Sequence, residues 1–108
     1  MALAEKYVIL FQKECLDLSK TLLNNLHKLK VNPNDNEGIE KMLQAADIMI
    51  GDSRFIKNKE LEQACILLVK TFNEIENVSD KSKEVDFFIE IFTKSPNIMP
   101  KYKTFRIL

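Results

Sequence analysis

The stretch VILFQKECLDLSKTLLNNLHKL, residues 8–29, decides the fold class of this chain. Its apolar residues recur at steps of three and four, the spacing that places them on one face of an α-helix. We therefore predict a long amphipathic helix from about residue 4 to about residue 29. Its apolar stripe consists of Val8, Phe11, Cys15, Leu18, Leu22, Leu26 and Leu29.

Three further segments repeat this spacing. The proline-containing turn at residues 31–36 ends the first helix, and Asn and Asp residues in it allow the second to begin near Asp35. Asn58 is placed to cap a third helix, and a fourth is predicted from about Ser82 to Thr93. The second pattern runs to about Gly51, which either serves the shape of the helix or marks its end. The predicted inward residues are Ile39, Met42, Ala46 and Met49, then Leu61, Cys65, Leu68, Phe72 and Ile75, and finally Val85, Phe88, Ile89 and Phe92.

Four amphipathic helices joined by short connections pack most simply as an antiparallel, up-down-up-down bundle. We therefore expect an all-α domain that comprises residues 1–94. Beyond it, Pro96 and Pro100 stop the helix, and the last seven residues contain no acidic side chain. We expect residues 95–108 to form a short extended tail.

The composition argues against several classes of function. Sixteen basic and sixteen acidic side chains cancel, so the chain lacks the positive field that draws proteins to nucleic acid. No apolar stretch approaches the roughly 20 residues of a membrane helix, and the first residues do not have the pattern of a secretion signal. We expect a cytoplasmic protein that binds neither nucleic acid nor membranes.

Few side chains are suited to catalysis. His27 is the only histidine, and its place near the end of the first helix suits a partner for the helix dipole. Cys15 and Cys65 fall on apolar stripes, where a free cysteine behaves as a small buried hydrophobe. The sequence contains no glycine-rich phosphate loop, zinc-protease motif or nucleophile elbow. We expect no enzyme, no cofactor and no metal site.

The most informative stretch is AADIMIGDSRFI, residues 45–56, followed by Leu61 and Glu62. It resembles the signature of histidine phosphotransfer (HPt) domains, especially the amino-terminal phosphotransfer domain of chemotaxis-type histidine kinases. There, A-A-H-x-x-K-G is followed by a short turn and the next helix. The resemblance extends without a gap from the first helix to Phe72. It implies an HPt-like four-helix bundle from bacterial two-component or phosphorelay signalling.

The chain departs from this family at the reacting residues. The family histidine, which accepts a phosphoryl group and passes it to an aspartate of a receiver domain, aligns with Asp47. A carboxylate has no nucleophilic ring nitrogen, and its charge repels phosphate. The supporting lysine aligns with Ile50, and a histidine and a glutamate of the next helix align with Ile66 and Val69. Gly51 survives, and in the family this small residue lets a partner approach closely.

These departures predict a protein-interaction module that keeps docking and has lost phosphotransfer. Its partner would be a receiver domain or a histidine kinase. Two alternatives stay open, namely an active relay protein that uses His27 and a purely structural or oligomeric helical protein, including a homodimer. We expect the apolar flanks around Asp47 to be covered by a second copy, by residues 102–108 or by the partner. The predicted interaction surface consists of Leu43, Asp47, Ile50, Gly51, Arg54, Ile66 and Val69.

Overall fold

Four helices account for most of the chain that the computed structural model describes, which is residues 3–94, with side chains from residue 5 onward. No strand occurs in this part, so the all-α prediction is confirmed. The extended tail that we expect at residues 95–108 lies outside the described residues. The helices are α1 at Leu3–Val31, α2 at Asn36–Phe55, α3 at Lys59–Glu74 and α4 at Ser82–Thr93.

Side-chain caps fix the starts of α2 and α3. Asp35 Oδ1 accepts a hydrogen bond from the backbone N–H of Gly38 at 3.0 Å. Asn58 Oδ1 accepts one from the backbone N–H of Leu61 at 3.1 Å. Each bond satisfies a backbone donor that has no partner inside its own helix. The predicted starts of both helices are therefore confirmed.

α2 is longer than its apolar pattern suggested. It continues through Gly51 to Phe55, and the next residue, Ile56, is fully buried. The reading of Gly51 as a helix end is therefore wrong, because Gly51 lies inside α2. The chain then turns at Lys57, whose φ of 60° is in the left-handed region. That conformation is common directly after a helix, where glycine usually adopts it.

The helices are arranged so that each lies beside its sequence neighbour and α1 also lies beside α4. α1 packs most extensively against α2, whereas α3 and α4 pack least closely. The start of α1 meets the end of α2 at Phe11 and Phe55, whose ring centroids are 4.9 Å apart. Near the other end of α1, Lys30 pairs with Asp86 of α4 at 3.0 Å. None of the four described helices has the length and apolar character that crossing a membrane requires.

The core consists of the stripes that the periodicity predicts. Burial of one large apolar side chain contributes about 1.5–3 kcal/mol, so these stripes supply most of the driving force for folding. The predicted residues that are fully or almost fully buried are Cys15, Leu22, Leu26, Leu29, Met42, Ala46, Met49, Leu61, Cys65, Leu68, Phe72, Val85, Phe88 and Phe92. The other predicted residues are half-buried and pack against this cluster; they are Val8, Phe11, Leu18, Ile39, Ile75 and Ile89.

Candidate functional site

The exposed face of α2 carries a glycine between two apolar side chains. Ile48, Gly51 and Phe55 follow one another at steps of three and four and are all exposed, so they lie along one side of the helix. Asp47 and Arg54 flank this strip and are also exposed. We call these five residues the α2 strip. Ile48 and Phe55 were not predicted from the sequence as surface residues.

Gly51 has no packing reason among the described residues. A Cβ atom added to it would meet no atom within 4 Å, and its φ is not in the positive range. Glycine inside a helix costs roughly 1 kcal/mol relative to alanine. The absence of a side chain at this point therefore destabilises the isolated domain and leaves the backbone of α2 open to close approach.

A groove lies between the first half of α2 and the end of α3. Its volume is about 400 Å³, and Leu43 and Asp47 line it from α2 while Phe72 lines it from α3. The exposed carboxylates of Glu40 and Glu76 also line it, together with Asp47. A phosphoryl group at Asp47 would therefore meet further negative charge.

The lysine in the lining of this groove is already engaged. Lys81 is almost fully buried, and its Nζ donates a hydrogen bond to the backbone carbonyl of Val78. A buried cation is stabilised by such a bond and is not free to turn toward a ligand without losing it. The groove therefore does not supply the mobile lysine that would balance the charge of a phosphoryl group.

Three apolar residues of the predicted surface are half-buried rather than exposed: Ile50, Ile66 and Val69. Ile50 and Val69 pack against the core. Leu43 packs against the core and shares the groove with Asp47, whereas the groove is not lined by Ile50, Ile66 or Val69. The structure thus brings Leu43 and Asp47 together and does not bring the other three to this groove.

Arg54 links the two helices of the predicted surface. Its Nε donates to Oε2 of Glu62 on α3, and the Arg54 side chain is mostly exposed whereas that of Glu62 is mostly covered. An ion pair with one exposed member contributes little to stability. Its main effect is to hold the guanidinium of Arg54 at the end of the α2 strip, beside the start of α3.

Asp52 was not predicted from the sequence as a site residue, and it is buried beside Glu14 of α1. Its Oδ2 has no hydrogen-bond partner among the described residues. Burial, followed by the hydrogen bond and charge of the neighbouring Glu14 carboxyl, raises the pKa of Asp52 to about 7. The signal was its position three residues after Met49, on the inward stripe of the helix.

Both cysteines are buried free thiols, as their places on the apolar stripes predict. Burial, with a smaller effect of the Asp52 charge, raises the pKa of Cys15 to about 12. Burial also raises the pKa of Cys65 to about 12. Both therefore remain protonated at neutral pH. No group of three or more His, Cys, Asp or Glu residues within the described part of the chain is arranged to hold a metal ion.

His27 lies on a different helix from the predicted surface. It is exposed on α1, where it lines a shallow depression together with Lys20 and Asn24. The structure does not bring it to the groove that contains Asp47. A phosphorelay through His27 would therefore use another face of the bundle.

Comparison with known proteins finds no relative, because no protein-family model, curated protein or solved structure matches this chain.

Proposed function

We propose that this chain is a non-catalytic, HPt-like interaction module of bacterial two-component or phosphorelay signalling. It binds a receiver domain or a histidine kinase in the cytoplasm and does not transfer phosphate. The observation that carries this proposal is Gly51, an exposed glycine inside α2 that serves no packing contact in the described chain.

The α2 strip supports docking by its composition. A partner that packs onto Gly51 reaches the backbone of α2, and it can bury Ile48 and Phe55 on either side of that point. Protein interfaces combine such an apolar centre with a polar rim. Asp47 and Arg54 supply opposite charges at this rim and would orient the partner.

The groove beside the strip supports the loss of phosphotransfer. Asp47 shares the groove with Glu40 and Glu76, and Lys81 is held by a backbone carbonyl. Ile50, which aligns with the family lysine, packs against the core. A phosphoryl group at this position would therefore lack both an accepting nitrogen and a compensating cation.

The proposal includes the antiparallel, up-down-up-down order of the bundle. The contact of Phe11 with Phe55 and the ion pair of Lys30 with Asp86 support it, because each joins opposite ends of two helices. In such a bundle each helix keeps one outward face, and the exposed α2 strip lies on that of α2, where a receiver domain has access to it.

Binding of the full chain to purified receiver domains and histidine kinases of the source cell tests the proposal. Gly51→Arg would block close approach and is expected to weaken binding at least about tenfold, or about 1.4 kcal/mol. Asn24→Arg, which introduces the same side chain at an exposed position on α1, is the control and should leave the affinity unchanged. Binding that tolerates Gly51→Arg would contradict docking at the α2 strip.

A labelling experiment tests the absence of transfer. Incubation with a partner kinase and labelled ATP is expected to leave the chain unlabelled. The second candidate function is a relay through His27, which is favoured by its exposure and by Lys20 in the same depression. If label appears and His27→Gln removes it, the relay replaces our proposal. A chain that binds only copies of itself would instead be a structural, oligomeric protein.

A further inference from the structure

α4 carries more apolar surface than the described bundle covers. Val85, Phe88 and Phe92 are buried in the core, whereas Phe87 points away from it and stays 50% exposed. The Phe87 ring meets that of Phe88 edge-on, with the centroids 5.1 Å apart. α4 thus has a large apolar side chain outside its inward stripe.

This surface forms one wall of a groove between α3 and α4. The groove has a volume of about 330 Å³, and Phe87 lies in its lining together with Leu67, a residue of α3 that is 42% exposed. α3 and α4 are also the neighbouring helices that pack least closely. An apolar groove between loosely packed helices offers burial to another segment of chain.

We propose that the C-terminal segment of the same chain fills this groove, with Ile98, Met99 and Tyr102 packed on Phe87 and Leu67. The inference does not depend on the proposed docking function, since it concerns a different pair of helices. It specifies one occupant, residues 98–102, and one site, the groove between α3 and α4.

The reach of the chain supports this occupant. α4 ends at Thr93, and Phe87 stands six residues earlier, about 9 Å back along the helix at 1.5 Å per residue. Residues 95–97 include Pro96 and can reverse the chain. Five extended residues then span about 16 Å. Residues 98–102 therefore extend far enough to lie over both Phe87 and Leu67.

Position favours this groove over the one between α2 and α3. Residues 95–108 contain Lys101, Lys103 and Arg106 and no acidic residue, but both Glu84 and Lys83 line the α3–α4 groove, so charge does not select it. The α2–α3 groove would attract the same basic segment, but it lies beyond α3. To reach it, the chain would first pass along α4 and then cross α3.

Fluorescence of the full-length chain tests the proposal directly, because the natural sequence contains no tryptophan. The variant Tyr102→Trp carries a single indole. We expect its emission to be blue-shifted, and its quenching by acrylamide to be reduced, relative to the same protein in denaturant. Adding Phe87→Gln should abolish both effects. Adding Ile48→Gln instead, at an α2 residue that is 48% exposed, is the matched control and should leave both unchanged.

Other results would overturn the proposal. An indole of the Tyr102→Trp variant that is as accessible in buffer as in denaturant shows that the segment is not docked. Protection that persists with Phe87→Gln but is lost with Leu43→Gln places it in the α2–α3 groove. Protection that disappears on dilution assigns the contact to a second copy. Circular dichroism monitors the fold of every variant, and Leu67→Gln replaces Phe87→Gln if the latter loses helix. Met99→Trp provides an independent probe.

Discussion

Replacement of Gly51 by alanine is expected to stabilise the protein and weaken its binding to a partner. Gly51 lies inside α2, and within the described chain an added Cβ would meet no atom within 4 Å outside its own helical turn. Alanine therefore causes no clash there, and it lowers the entropy of the unfolded chain. The gain should be about 1 kcal/mol, the usual difference between glycine and alanine in an exposed helix interior.

Urea unfolding followed by circular dichroism measures this gain. With a urea dependence of about 2 kcal/mol per molar, a stabilisation of about 1 kcal/mol moves the midpoint up by about 0.5 M. The slope of the transition should not change, since the substitution buries no new surface. A heat-unfolding scan should show a rise of about 4–8 °C.

Gly38→Ala is the matched control, because the same substitution there should have the opposite effect. Its Cβ would lie 2.5 Å from Oδ2 of Asp35, the residue that caps α2. Movement of that side chain would weaken the cap, at a cost of about 1 kcal/mol. If Gly51→Ala leaves the urea midpoint unchanged or lowers it, position 51 does not accept a side chain without a steric cost. If it raises the midpoint but partner affinity does not fall, close approach is not the reason for the glycine.

Three further predictions concern neighbouring positions. Lys57→Gly should raise the free energy of unfolding by about 1 kcal/mol in urea titrations, because the φ of 60° at Lys57 is strained for residues other than glycine. The pKa of Asp52 rises from 3.8 to about 7 on folding, so its contribution to stability is full below pH 4 and is lost as the pH rises through 7. The free energy of unfolding of the unmodified chain should therefore fall by about 1–2 kcal/mol between about pH 5 and pH 8, after allowance for partial solvation. Asp52→Asn should remove this fall. Asp47→His should not by itself permit labelling by a kinase, because Ile50 supplies no supporting cation.

The helices could be predicted closely because their signals are local. The apolar period identifies each helix from residues three and four positions apart. Asp35 and Asn58 cap backbone N–H groups only three residues away, so neither signal depends on how the helices pack. α4 accordingly has the bounds, Ser82–Thr93, that the pattern predicts. The sequence could not determine the end of α2, because glycine occurs both inside helices and at their ends. In the structure α2 continues to Phe55, and Ile56 directly after it is buried in the core.

The candidate site could be predicted only in part, since it depends on how helices meet. Asp47 and Gly51 are exposed as an interaction surface requires, and the motif pointed to both. The inward position of Asp52 follows from its place three residues after Met49, but its raised pKa depends on burial and on Glu14 of α1, which the pattern of α2 does not indicate. The exposure of Phe87 likewise reflects the loose packing of α3 on α4, which no local pattern in α4 indicates.

Three positions at or near the end of α2 carry features that lower the stability of the fold. Gly51 weakens the helix, Asp52 buries a carboxyl oxygen that has no hydrogen-bond partner in residues 3–94, and Lys57 adopts a left-handed conformation. Such features concentrate at functional sites, where function rather than stability selects the residue.

The combined variant Gly51→Ala, Asp52→Asn, Lys57→Gly tests whether they have a common cause. The separate effects of its three changes sum to about 3 kcal/mol at pH 8, and the three single variants are measured beside it because Gly51 and Asp52 are neighbours and can couple. If partner affinity then falls, these residues retain a function that costs stability. Unchanged affinity, measured on the same samples as the unfolding curves, would show that all three features are unrelated to binding and would leave the α2 strip without its main support.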